Sequence, residues 1–113
     1  MSNTLVLRPV GPTTYVSVTA TSSTAKTVSV VGNDQANYAA FLNTGANPCA
    51  VTVAPSSAPD STFPSTDPGS FVLPGSMTYP IVLAVPSNSF SVTAICAATK
   101  TTDLFVTPVD NQS

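Results

Sequence analysis

The chain has 113 residues, a formal charge of −2 and 7% charged residues, where an average soluble domain carries about 25%. It contains no His, Glu or Trp, so the side chains that most often move protons or hold metals are missing and most enzyme chemistries have nothing to work with. Arg8, Lys26 and Lys100 are the only cations, too few to neutralise a run of phosphates, which argues against nucleic acid and anionic membrane as partners.

The length suits one domain with one core. With 42% hydrophobic residues and so few charges, its surface must be covered by Ser, Thr and Asn. Such a neutral polar surface repels its own copies weakly, which suits life in contact with other subunits.

Period-two alternation recurs along the chain, and no window carries a 3.6-residue stripe. Residues 5–8 predict a short strand stopped at Pro9, Gly11 and Pro12. Residues 14–20 predict the next, with Val16, Val18 and Ala20 on one face and Tyr15, Ser17 and Thr19 on the other. Residues 26–31 repeat the pattern through Val28 and Val30, before a turn at Gly32, Asn33 and Asp34. Residues 37–43 place Tyr38, Ala40 and Leu42 on one side and Phe41 on the other. A turn-rich loop, 43–48, then leads into a strand over 49–54, so these two segments predict a hairpin.

Residues 55–69 form a long Pro/Ser/Asp loop without periodicity. A strand at 71–73 ends in the turn dipeptide Pro74-Gly75. Residues 77–85 and 89–97 predict the longest strands, 102–107 closes the sheet, and 108–113 reads as a polar tail. No apolar run approaches the ~20 residues of a spanning helix. The first nine residues lack a basic segment followed by a long apolar one, so cytoplasmic synthesis is expected.

Short strands separated by turn chemistry predict an all-β fold: a single antiparallel β-sandwich, jelly-roll-like, of about eight strands with negligible helix. The expected organisation is an N-terminal arm with a short strand over 1–12, a sandwich over 13–108 and a tail over 109–113. Cys49 shares a face with Val51 and Val53, and Cys96 with Phe90, Val92 and Ala94, so both point at the core. They read as free buried thiols, with a cross-sheet bond formed after release from the cell as the alternative.

No catalytic arrangement is found. Ser–His–Asp and Cys–His pairs need His, and neither Lys26 nor Lys100 lies in a Ser–Lys motif. Asp34, Asp60, Asp67, Asp103 and Asp110 read as solvated loop and polar-face residues, and Asp60 with Asp67 is too sparse a set for calcium. Glycine-rich phosphate loops are absent. The expectation is a protein that is not an enzyme, with no catalytic residue, cofactor or metal.

One segment breaks the alternation, because residues 77–85 carry Tyr79, Ile81, Leu83 and Val85 on one face but Val82 and Ala84 on the other. Either this is a central strand whose second face lies under loop 55–69, or that face is kept for a neighbouring subunit. Phe41, Phe63 and Phe105 raise the same question, each being placed on a polar face or in a loop. With Leu5 and Leu7 of the arm and Val82, they are the candidate contact residues.

Three stretches carry a resemblance. Asn43-Thr44-Gly45-Ala46-Asn47-Pro48 with Val51 resembles an N-T-G-x-N-P-x-x-V segment, and Leu73-Pro74-Gly75 is similar to an x-L-P-P-G turn, here with a single proline. Val85-Pro86, Val92-Thr93-Ala94-Ile95 and Leu104-Phe105-Val106-Thr107-Pro108 resemble a V-P, V-x-A-I, L-x-V-T-P succession. In that order and spacing they resemble small β-sandwich virion proteins of tailed bacteriophages, over about 37–109. The resemblance implies a head decoration or cement protein on the capsid surface, partnered by the major capsid protein and by copies of itself. It carries over no catalytic or ligand-binding residue. Loop 55–69 and the arm 1–12 are the segments expected to touch the capsid.

A tail, neck or head-fibre subunit with the same sandwich is the main alternative. A carbohydrate-binding module is another, though such modules stack sugars on aromatic faces and only Tyr15, Tyr38 and Tyr79 are at hand. A soluble β-domain of a host cell is the third.

Overall fold

The computed structural model describes residues 7–31, 37–86 and 89–111, and these form nine strands and no helix. The strands are β1 (Leu7–Pro9), β2 (Thr14–Val18), β3 (Lys26–Val28), β4 (Tyr38–Asn43), β5 (Cys49–Ala54), β6 (Phe71–Leu73), β7 (Ile81–Ala84), β8 (Phe90–Cys96) and β9 (Thr102–Asn111).

Their pairing is nested. β5 pairs with β6, β4 with β7, β3 with β8 and β2 with β9, all antiparallel, as in one long ribbon doubled back on itself. Two further pairings, β4 with β9 and β5 with β8, roll that ribbon into two sheets. One sheet then reads β2-β9-β4-β7 and the other β3-β8-β5-β6, which is the jelly-roll order. The all-β sandwich expected from the alternation is the fold observed. β1 continues the edge begun by β2, pairing with the far end of β9. Pro9 can belong to this strand because an edge position leaves its missing N–H facing outward.

The core is filled by inward-facing residues of both sheets: Val16, Val18, Val28, Ala39, Phe41, Cys49, Val51, Leu73, Phe90, Val92, Ala94, Cys96, Leu104 and Val106. Burying each of the larger side chains contributes about 1.5–3 kcal/mol. Both cysteines face this core, as their strand parity requires.

Several expectations fail, each for a physical reason. Residues 77–85, expected as one of the two longest strands, give only the four-residue β7, which starts just after Pro80. Residues 37–43 and 49–54 are not a hairpin, because β4 lies in one sheet and β5 in the other, and the loop between them crosses the sandwich. Phe41 lies on the core face of β4 at 0% exposure, with Ala39 and Asn43, while Tyr38, Ala40 and Leu42 turn outward. Both faces of that strand are apolar, so alternation alone leaves its register open, and pairing with β9 settles it. β7 is an edge strand, and the long loop lies over the other sheet. Residues 108–111 are strand, not tail: Pro108 is buried and accepts a hydrogen bond from Val10 N–H at 2.9 Å.

Candidate functional site

The two outer faces of the sandwich differ, and the difference begins with hydroxyl groups. On the four-stranded sheet, Ser91 and Thr93 of β8 point away from the core yet are buried. Loop 55–70 covers them. Ser91 Oγ accepts from Ala58 N–H at 2.9 Å, and Thr93 Oγ1 donates to Pro59 O at 2.7 Å. Ser61 Oγ sits within 3.0 Å of Thr52 Oγ1, Thr93 O and Thr93 Oγ1, and Ser61 N–H donates to Ser22 Oγ at 2.9 Å. Ser70 Oγ pairs with Thr52 Oγ1 at 2.9 Å and accepts from Thr62 N–H at 3.0 Å. The loop is therefore a fixed flap, tied at several points along its length. Ser61→Ala should cost about 1–2 kcal/mol in chemical denaturation and expose 55–70 to limited proteolysis, because several buried partners lose their bond together.

One end of the sandwich is clamped by Asn43, which is 0% exposed. Its Nδ2 donates to Asn47 O at 2.9 Å and to Pro74 O at 3.0 Å, and its Oδ1 accepts from Thr102 Oγ1 at 2.5 Å. Asn47 Nδ2 in turn donates to Thr101 O at 2.9 Å. A Cβ on Gly45 would collide with Thr102 Oγ1, and one on Gly75 with Ala46 O, so both turns need glycine to come this close. The two turn motifs singled out in the sequence, 43–48 and 73–75, thus meet in space. Their chemistry is spent on holding three connections together.

The outer face of the five-stranded sheet has no such flap among the described residues, although Val109 towards its far end is buried. Its rows follow from register. Tyr15 of β2 lies opposite Phe105, which lies opposite Leu42. In the next row Thr107 lies opposite Ala40, and Ala40 opposite Val82. In the third, Val109 faces Tyr38, and Tyr38 faces Ala84. Tyr15 is exposed, and Phe105, Leu42, Ala40, Val82 and Tyr38 are half-buried. Asp103 borders these rows and accepts the Tyr15 hydroxyl at 2.6 Å, while at the β2 edge Lys26 Nζ donates to Tyr15 O at 3.1 Å. The bond to Asp103 pushes the Tyr15 phenol above its ordinary value. The Tyr15 and Phe105 rings stand 5.3 Å apart at 40°, which steadies both. Tyr79, 82% exposed, precedes β7 at the edge of the same sheet.

Of the six residues picked from sequence, Phe105 and Val82 fall on this face, one row apart, and half-buried Leu7 lies in β1 at its border. Phe41 is in the core and has no surface to present. Phe63 is half-buried in the flap over the opposite sheet, and Leu5 lies outside the described residues. Tyr38, Ala40 and Leu42 belong to the face although the sequence puts Phe41, not them, on the polar side of the strand, because an apolar residue on a strand is read as inward. Only the pairing of β4 reveals them.

A cavity of about 350 Å³ opens beside β3 where the flap begins, lined by Thr27, Ser57, Ser91 and other uncharged residues. Burial pushes the Cys49 thiol up to about 12, with a further push from Cys96, and burial raises Cys96 as well. An unfolded thiol ionises near 9.0 while folded Cys49 stays protonated, so its contribution to stability should hold level below pH 9 and fall between pH 9 and 12. The loss is a few kcal/mol, about 1.4 per pH unit across that window. Urea unfolding against pH checks it, and Cys49→Ala should make that part of the profile shallower, with the buried Cys96 thiol keeping the remainder.

Comparison of the chain with protein-family models, with curated proteins and with solved structures yields no match.

Proposed function

We propose that this protein is a non-catalytic structural subunit that docks, through the outer face of its five-stranded sheet, onto a large repeating protein surface, as a decoration or cement protein does on a tailed-phage head. The observation that carries the reading is the contrast between the two faces. The flap covers Ser91 and Thr93 in the middle of one sheet, leaving Phe71 and Val72 exposed on its edge strand β6, while the other sheet leaves a largely apolar surface running from Tyr15 through Phe105, Leu42 and Ala40 to Val82. Contiguous apolar surface of this kind marks interfaces. An uncharged face also selects its partner, since a charged counter-surface would lose its hydration and gain no counter-charge. The motif resemblance to phage virion proteins supplies the class of lattice, with the major capsid protein as partner.

The mechanism is adhesion. A subunit held at equivalent positions on an assembled shell adds binding free energy to the assembled state alone, and by linkage makes that state harder to disrupt. Each contact can be modest, because contacts repeated around a symmetric shell sum by avidity. The low net charge keeps neighbouring copies from repelling one another.

Mass spectrometry and cryo-electron microscopy of gradient-purified particles test this. The expected result is many copies over the head surface, seated by the β2-β9-β4-β7 sheet. Absence from mature particles would overturn the virion reading, and attachment through the flap side would overturn the choice of face.

A further inference from the structure

We propose that Cys49 and Cys96 form a latent disulfide site, a cross-strand pair inside the sandwich that closes when the chain folds in the presence of a disulfide oxidant such as oxidised glutathione. The two residues are direct register partners on neighbouring strands of one sheet, not on opposite sheets. Backbone bonds show which kind of partners they are. Cys96 N–H donates to Thr19 O at 2.8 Å, away from β5. Two residues earlier, Ala94 uses both its N–H and its C=O on Ser23, again away from β5. Residues of this parity therefore occupy the non-hydrogen-bonded sites of the β5–β8 ladder. At such sites the Cα atoms lie about 4.5 Å apart, with side chains closer than anywhere else in a sheet. That spacing is within the range of roughly 4.4–6.8 Å that a disulfide bridges.

Both thiols are buried, and their remaining contacts are weak. Cys49 Sγ lies 3.7 Å from Asn43 Nδ2, and Cys96 Sγ 3.9 Å from Val18 O. Neither contact ties up a sulfur that could turn towards the other. The reaction is two exchanges. One cysteine thiolate attacks oxidised glutathione, forming a mixed disulfide and releasing one glutathione thiolate. The second cysteine thiolate then attacks the protein sulfur of that mixed disulfide and releases the other. The two protons lost by the cysteines end on the two glutathiones, which take up the two electrons. Burial disfavours both thiolates in the closed fold and bars glutathione from them, so the reduced sandwich is protected and the bond forms as the chain folds.

The test is to refold the full chain from denaturant in a glutathione redox buffer and, separately, in excess reductant. The oxidised product should be a monomer lighter by two hydrogens, with one peptide joining Cys49 to Cys96. Its melting temperature should exceed that of the reduced form by about 10 °C, and reductant should reverse the gain. Cys49→Ala and Cys96→Ala should show the same melting temperature in both buffers. Full alkylation of both thiols after oxidative refolding would overturn the proposal. So would bonds formed between chains, an oxidised form that melts lower, or one that fails to regain the β-sheet circular dichroism of the reduced protein.

Discussion

Replacing Asn43 with leucine is expected to destabilise the protein by about 3–5 kcal/mol, the largest loss anticipated from any single polar residue in the chain. Leucine keeps the branched outline of asparagine but is larger, so at this fully buried position the lost hydrogen bonds and some overpacking both act against the fold. Asn47 O and Pro74 O lose their donor, and buried Thr102 Oγ1 loses its acceptor. Each group left buried without a partner costs about 1–3 kcal/mol. Asn43→Asp should do no better, because it sets a carboxylate oxygen against two carbonyls. Urea denaturation checks this: the midpoint should fall while the slope stays constant, as expected when the folded surface is unchanged. A loss below about 1 kcal/mol would show that the three connections are held by something other than Asn43.

Placing charge on the open face should abolish docking and leave folding intact. Val82→Lys is the sharpest form, since β7 is an edge strand and edges tolerate lysine. Val82 is half-buried, so stability should change by no more than about 1 kcal/mol. An ammonium pressed into an apolar interface without a counter-charge costs about 3 kcal/mol or more, so occupancy on particles should fall roughly a hundredfold. Thr66→Lys, exposed in the flap on the opposite side, is the control and should leave occupancy unchanged. Quantitative mass spectrometry of particles assembled with each variant gives the answer. Equal loss from both variants would mean that net charge, not this face, governs attachment.

The motifs around Asn43 and Pro74-Gly75 are plain in the chain as turn chemistry, but their meeting is not, because the residues come together only when the ribbon rolls. The open face was half legible. Val82 and Phe105 stand out locally as apolar residues where polar ones are expected. Tyr38, Ala40 and Leu42 do not, since a strand apolar on both sides carries no signal of which side is inward. The flap's anchors were hidden for the opposite reason: Ser91 and Thr93 alternate like solvent-facing residues, and only the loop folded over them makes them interior.

What the chain determines unaided is local: strands where β-branched residues alternate, turns where Gly, Pro and Asn cluster, and a chemistry limited by the absence of His, Glu and Trp. These follow from short-range sterics and from the side chains present, neither of which needs the fold. Which strand lies beside which, which side of β4 is inward and which sheet remains open were decided only by tertiary pairing. Those choices depend on nested contacts between distant segments, such as β2 with β9, whose free energies belong to the assembled sandwich and to no single stretch of it.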